Sequence, residues 1–287
     1  MHFQLPVSEG LEALLQDASA QLAAASDQPR DEAEWLLSEL LGVARAGLRT
    51  ATALDDEQKT RFAIWVNRRA AGEPFAYVTG TQPFRRLSVG VTPDVLIPRA
   101  DTEHLVAWAL QVLTLKAAPA RVLDVCTGSG CVALALADEA SQHHIFGSDC
   151  SAAALAVAQA NALRLKLPVQ FLHADALSLP ADTSRFQLIT ANPPYIAEYD
   201  PHLPALHHEP ALALVSGADG LTLLRRLIEQ APAALEDQGW LLLEHGYDQG
   251  ERVRALLAAR GFSQVETRRD YGGNERVTGG CWVASHG

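Results

Sequence analysis

From Asp101 onward the chain alternates between helical and strand-like patterns, and this alternation constrains the fold more than any other feature. Helical spacing is read over residues 102–115, 130–140, 151–165, 219–236 and 248–260. Strand-like apolar runs fall at 121–125, 144–148, 169–172, 186–191 and 239–244, with further strands near the end. Parallel strands must be joined by crossovers, which helices of this length provide. The pattern therefore predicts an α/β fold with a doubly wound, mostly parallel sheet covered on both faces.

The preceding residues have a different texture. From about Ser8 to Arg69 they read as helices, with Leu11, Leu14, Leu15, Ala18 and Leu22 recurring at helical spacing, then Ala33, Leu36, Leu37, Leu40 and Leu41. Asp31 is the expected N-cap of the second helix and Gly42 its C-cap. A third helix is expected from Asp56 to Ala71, stopped by Gly72 and Pro74. Strand-like runs at 84–89 and 91–97 predict a β-hairpin. The expected division is a helical domain over 1–74, a hairpin linker over 75–100 and a larger domain over 101–287.

Length and composition allow this layout. The 287 residues are 48% hydrophobic and 20% charged, ordinary values for a globular protein with a substantial core. No apolar run reaches the roughly 18–20 residues that cross a bilayer. The start, Met1 to Pro6, lacks the basic and apolar regions of a signal peptide, so a cytoplasmic protein with no membrane partner is expected. Cys126, Cys131, Cys150 and Cys281 show no Cys-x-x-Cys spacing, and the pairs His143-His144 and His207-His208 are adjacent rather than ligand-spaced, so no metal is expected. A formal net charge of −11 argues against a protein that grips phosphate backbone, and no direct nucleic-acid binding is expected.

Four short motifs follow four successive strands. The first is Val122 to Gly130, a strand running into Cys126-Thr127-Gly128-Ser129-Gly130 and then a helix. Its glycines allow close backbone approach at a helix N-terminus, but the third glycine of the dinucleotide fingerprint is absent, so a compact ligand without a pyrophosphate fits better. The second is Asp149, about 20 residues beyond the turn at a strand tip, where a carboxylate suits ribose hydroxyls. Its alternative reading, a helix N-cap, is more naturally served by Ser151. The third is Asp175, placed to accept from an exocyclic amine; a plain loop aspartate is the alternative.

The fourth motif is Asn192-Pro193-Pro194-Tyr195, after the strand 186–191. Neither proline donates a hydrogen bond, so the turn is rigid and rich in acceptors. The Asn192 oxygen and nearby carbonyls can converge on a group with two N–H donors, and Tyr195 offers a flat face to a planar partner. A proline-rich turn with no chemistry is the bland alternative. In an open parallel sheet ligands bind at the carboxyl ends of the strands, where all four motifs fall.

On these residues the chain resembles class I S-adenosylmethionine-dependent methyltransferases, and more narrowly the peptide chain release factor N5-glutamine methyltransferase family. The stretches that carry the narrower resemblance are Val95 to Glu103 (with Ile97-Pro98-Arg99-Ala100-Asp101), the glycine loop, Asn192 to Ile196, His208-Glu209-Pro210, Leu242 to Gly246 and Arg269 to Val277. They span about 73 to 278, and the helical N-terminal part also fits. The resemblance implies a seven-stranded methyltransferase sheet. It also implies S-adenosyl-L-methionine bound over Cys126, Thr127, Gly128, Ser129, Gly130, Asp149, Asp175, Ala176 and Asn192. The glutamine amide of a release factor's Gly-Gly-Gln loop would be held by Asn192, Pro193, Pro194 and Tyr195, with Asn192, Pro193 and Tyr195 catalytic. The helical part would dock the substrate, and a monomer is expected. Three positions depart from the family pattern: Cys126 replaces a usual glycine, Ala100 a usual proline, and Ala176 an aromatic found in some relatives. Adenine-N6 methylation of DNA or RNA is the rival, because adenine presents the same planar –NH2 group; the negative charge and the need to extrude a base weigh against it.

Overall fold

The computed structural model describes residues 9–51, 53–116 and 118–284. The expected start of the first helix at Ser8 and the segment Met1 to Pro6 lie outside the described residues. Two compact units are separated between Thr81 and Gln82.

The first unit holds helices α1 (Glu9–Leu22), α2 (Pro29–Leu41), α3 (Asp56–Ala70) and α4 (Phe75–Thr79). Its core is formed by the periodic positions read from the sequence, including Leu11, Leu15, Ala18, Leu22, Ala33, Leu36 and Leu37, joined by Phe62, Trp65 and Val66. Two termini differ from expectation. The α2 N-cap is Gln28, because Pro29 occupies the first helical position; Asp31 lies in the first turn and pairs with Arg45 at 2.6 Å. Helix α3 is started by Asp55, whose carboxylate accepts from the Gln58 amide at 2.8 Å in a reciprocal capping box. Gly42 ends α2 in the left-handed conformation, as its sequence position implied.

The hairpin is shifted from its expected place. Strands β1 (Thr81–Phe84) and β2 (Leu87–Gly90) are joined through Arg85 and Arg86, inside what reads as a single strand, and 91–97 is irregular. Arg85 turns the chain at φ 49° without a glycine to mark it. The short helix α4 also occupies part of the expected linker.

In the second unit, β3 (Arg121–Val125), β4 (His144–Asp149), β5 (Val169–His173), β6 (Phe186–Ala191), β7 (Leu235–Glu244), β8 (Ser263–Arg269) and β9 (Glu275–Trp282) form one sheet ordered β5-β4-β3-β6-β7-β9-β8. All neighbours are parallel except β9, which runs antiparallel to β7 and β8. Helices α5 (Glu103–Thr114), α6 (Cys131–Glu139), α7 (Ala152–Leu165), α8 (Thr222–Ala234) and α9 (Gly250–Arg260) complete the unit. Consecutive strand residues feed opposite cores. Val122, Ile145, Leu188 and Leu242 pack with α5 and α6, while Leu123, Phe146, Ile189 and Leu243 pack with α8 and α9. Truncating one of these wholly buried leucines to alanine costs about 2–5 kcal/mol.

The strand order reverses direction at β3: the chain moves outward to β4 and β5, then returns to place β6 on the other side. This leaves a crevice at the carboxyl ends of β3 and β6.

Candidate active site

A cleft of about 370 Å³ opens at this crevice, within the usual range for small-molecule sites. Its wall includes Cys126, Thr127, Gly128 and Ser129 after β3, Asp149 at the end of β4, Asp175 after β5, and Asn192 and Pro194 after β6. Gly130, Ala176, Pro193 and Tyr195 do not line it. The four sequence motifs therefore meet in one place, though not every residue of each.

The glycine loop is held from below. Buried Asp124 accepts from Thr127 Oγ1 at 2.6 Å and from Thr190 Oγ1 at 2.9 Å, pinning the start of the loop to β6. Burial pushes the Asp124 carboxyl up to about 7, against the two hydroxyls that hold it down. Asn161 of α7 donates to the Ser129 carbonyl at 3.0 Å and exchanges two hydrogen bonds with the Gly90 backbone, which ties the hairpin to the loop. Gly128 sits at φ 55° with open space where a Cβ would point, so a ligand can approach its backbone closely.

Cys126 also has positive φ, at 57°, and Ala176 at 52°. Both are positions expected from the resemblance to depart from the family pattern, and both adopt a conformation that costs an L-residue about 1–2 kcal/mol. Cys126 packs at the edge of the β-sheet core and Ala176 is buried in it. Burial pushes the Cys126 thiol up, away from the thiolate form.

Asp149 accepts from the Gly128 amide at 3.0 Å and from the Ser151 amide at 2.9 Å. The cap of α7 is Ser151 itself, accepting from Ala154 N at 3.1 Å, which leaves Asp149 to the cleft. The exposed Asp175 carboxylate pairs with Arg226 of α8 at 2.8 Å, a contact with no sequence signal.

Asn192 is oriented by its own amide. Nδ2 donates to Thr102 Oγ1 at 3.2 Å, so Oδ1 is left without a hydrogen-bond partner among the described residues. The Pro193 carbonyl likewise accepts no hydrogen bond among them, whereas the Tyr195 carbonyl is taken by Gln249 Nε2 at 2.9 Å. Tyr195 packs partly into the core and donates its hydroxyl to Glu244 Oε1 at 3.3 Å. Burial and the Glu244 carboxylate push the phenol up, so it keeps its proton. Across the mouth, Glu209 accepts from the Ile97 amide at 3.0 Å and pairs with Arg99, joining the segment before α5 to the loop after β6. His245 is a satisfied core histidine: Nδ1 meets the Gly246 carbonyl at 2.8 Å and Nε2 the Thr278 hydroxyl at 2.7 Å.

The sequence assigns no individual role to Asp124, Thr102, Glu209, Arg226 or Glu244, although Thr102, Glu209 and Glu244 lie within stretches that carry the family resemblance. Asp124 and Glu244 did carry a signal, an acid in or at the end of an otherwise apolar strand (Val122-Leu123-Asp124-Val125 and Leu241-Leu242-Leu243-Glu244). Among the described residues no cluster of three or more His, Cys, Asp or Glu side chains could hold a metal ion, and no helix is long and apolar enough to cross a membrane.

Known proteins share this architecture. A family model described as the PrmC N-terminal domain matches residues 13–80, and one described as a methyltransferase domain matches 122–216. The release factor glutamine methyltransferase of Pseudomonas aeruginosa is 47% identical over 262 residues, covering 90% of this chain and 94% of that one. The release factor glutamine methyltransferase of Escherichia coli is 43% identical over 269 residues, covering 92% and 96%. Among solved structures, a methyltransferase from Pyrococcus furiosus shares the fold, with a TM-score of 0.51 and 14% identity over 80% of this chain and 100% of that one. At such identity and coverage by the curated relatives, this chain belongs to the release factor glutamine methyltransferase family.

Proposed function

We propose that the chain transfers a methyl group from S-adenosyl-L-methionine to the side-chain amide nitrogen of the glutamine in the Gly-Gly-Gln loop of peptide chain release factors. The observation that carries the acceptor half is the pair of open acceptors, Asn192 Oδ1 and the Pro193 carbonyl, at a turn whose two prolines have no N–H to donate. The name of the curated relatives supports the substrate.

The cleft suits the donor. Carboxylates at the ends of β4 and β5 offer acceptors for hydroxyls and an amine, and the open Gly128 backbone admits a close ligand. Cys126 through Ser129, with Asp149 and Asp175, would hold it, Gly130 shaping the loop from behind and Ala176 contributing backbone alone. When bound, S-adenosyl-L-methionine supplies a methyl group made electrophilic by its sulfonium.

The residues of the chain then solve the problem of a poor nucleophile. An amide nitrogen has its lone pair delocalised into the carbonyl. Asn192 Oδ1 and the Pro193 carbonyl accept its two N–H bonds, orient it toward the glycine loop and stabilise the positive charge that develops on it. Pro194 keeps the turn rigid and Tyr195 packs behind it. No strong base is needed, because the proton can leave after transfer.

The helical unit would dock the release factor, the protein would act as a monomer in the cytoplasm, and neither nucleic acid nor membrane is a partner. Methylation of adenine in DNA or RNA is the rival reading, disfavoured by the net charge of −11. Incubation with labelled donor and either release factor or DNA decides between them: label on the release factor is expected, and label on DNA alone overturns the reading.

A further inference from the structure

Beneath the acceptor turn lies a carboxylate that the mechanism above does not use. Glu244 ends β7 and is wholly inaccessible to solvent. Oε1 accepts from Tyr195, and Oε2 is buried with no hydrogen-bond partner among the described residues. The Thr102 hydroxyl lies near it without completing a hydrogen bond, while Thr102 Oγ1 accepts from Asn192. A buried carboxylate with one oxygen left unpaired costs stability, and such perturbed groups cluster at functional sites.

We propose, on the amide-transfer reading above, that Glu244 is a positioning residue of the acceptor site: its buried carboxylate sets the direction of the hydrogen bonds that hold Tyr195 and, through Thr102, the Asn192 amide. An ionised carboxylate only accepts, so the Tyr195 hydroxyl donates to it, and its charge draws the proton of the nearby Thr102 hydroxyl toward it even without a completed hydrogen bond. Thr102 Oγ1 can then only accept from Asn192. That forces the Asn192 nitrogen inward and its oxygen toward the cleft, the orientation an amide substrate needs. A glutamine at this position would both donate and accept, and the direction of the chain would be lost.

Charged and titratable groups face Glu244 from each side. Arg276 of β9, itself paired with Asp270 at 3.0 Å and Asp101 at 3.4 Å, favours the ionised form. Asp101 opposes it, and Tyr195 and Cys131 are the neutral neighbours from the turn after β6 and from α6. Burial dominates and pushes the carboxyl up from 4.5 to about 7. The native state therefore holds its proton across the window from 4.5 to about 7, and stability tied to that proton is lost as the pH rises through it. Activity runs the other way: ionisation completes the directed network, so kcat rises with pH to an inflection near 7.

The test is Glu244→Gln, measured with labelled donor and release factor beside calorimetric donor binding. We expect kcat to fall roughly tenfold, donor affinity to stay within about threefold, and the inflection near pH 7 to vanish. Melting temperature at pH 8 should be no lower than that of the parent, since the variant buries no charge. An active parent with an equally active variant, or a loss matched by weaker donor binding and a lower melting temperature, overturns the proposal. If the variant does not fold, Tyr195→Phe carries the test. Removing the hydroxyl that favours ionised Glu244 should lower kcat several-fold and move the inflection to higher pH, and an unchanged profile overturns the proposal. A parent that transfers nothing to release factor instead overturns the functional reading, and with it the basis for assigning Glu244 this role.

Discussion

The donor half and the acceptor half of the cleft are built on different principles. On the donor side the polar groups are loop amides and carboxylates near solvent, already engaged with one another: Asp149 with Gly128 and Ser151, Asp175 with Arg226. On the acceptor side the polar groups are anchored to buried ones, Asn192 to Thr102 and Tyr195 to Glu244, and two acceptors remain open. A site shaped by backbone tolerates changes of side chain, as Cys126 and Ala176 illustrate at positive φ. A site shaped by the direction of buried hydrogen bonds does not.

The largest expected effect breaks the acceptor half. Asn192→Ala removes one of two groups that orient the nitrogen and should lower kcat by about 10²–10³-fold while calorimetry finds donor affinity within roughly threefold. Near-normal turnover would show that the open oxygen at Asn192 does not hold the substrate.

Asp149→Ala strikes the donor half and should give the opposite signature. Losing a carboxylate that accepts from ribose hydroxyls and from Gly128 should weaken donor binding roughly 10–100-fold by titration, with kcat at saturating donor little changed. A drop confined to kcat would erase the distinction between the halves.

Cys126→Gly should have the smallest effect. Relief of about 1 kcal/mol of left-handed strain is offset by the greater freedom of glycine in the unfolded chain and by lost packing. The melting temperature should move by no more than about 2–4 °C and donor affinity by less than about threefold. A large change in either would show that the thiol itself shapes the donor loop.

Most of the fold was legible because the central strands β3, β4 and β6 are largely buried and read as short, mostly apolar runs bounded by turns, and the helices of the first unit carry a clear apolar stripe. The hairpin was misplaced because Arg85 makes a left-handed turn without glycine, and Asp31 misled because Pro29 fixes the helix start one turn earlier. The site was legible wherever a motif ends a strand. The roles of Thr102, Glu209 and Arg226 were not legible because they arise from contacts across 90, 112 and 51 residues of sequence, which no local pattern encodes.

The most direct test locates the methyl group. Purified release factor is incubated with the donor and either the parent chain or Asn192→Ala, and the modified peptide is read by mass spectrometry. The acceptor site described above predicts one methyl on the glutamine of the Gly-Gly-Gln loop with the parent and almost none with the variant. Methylation at any other residue, or equal modification by both proteins, would contradict it.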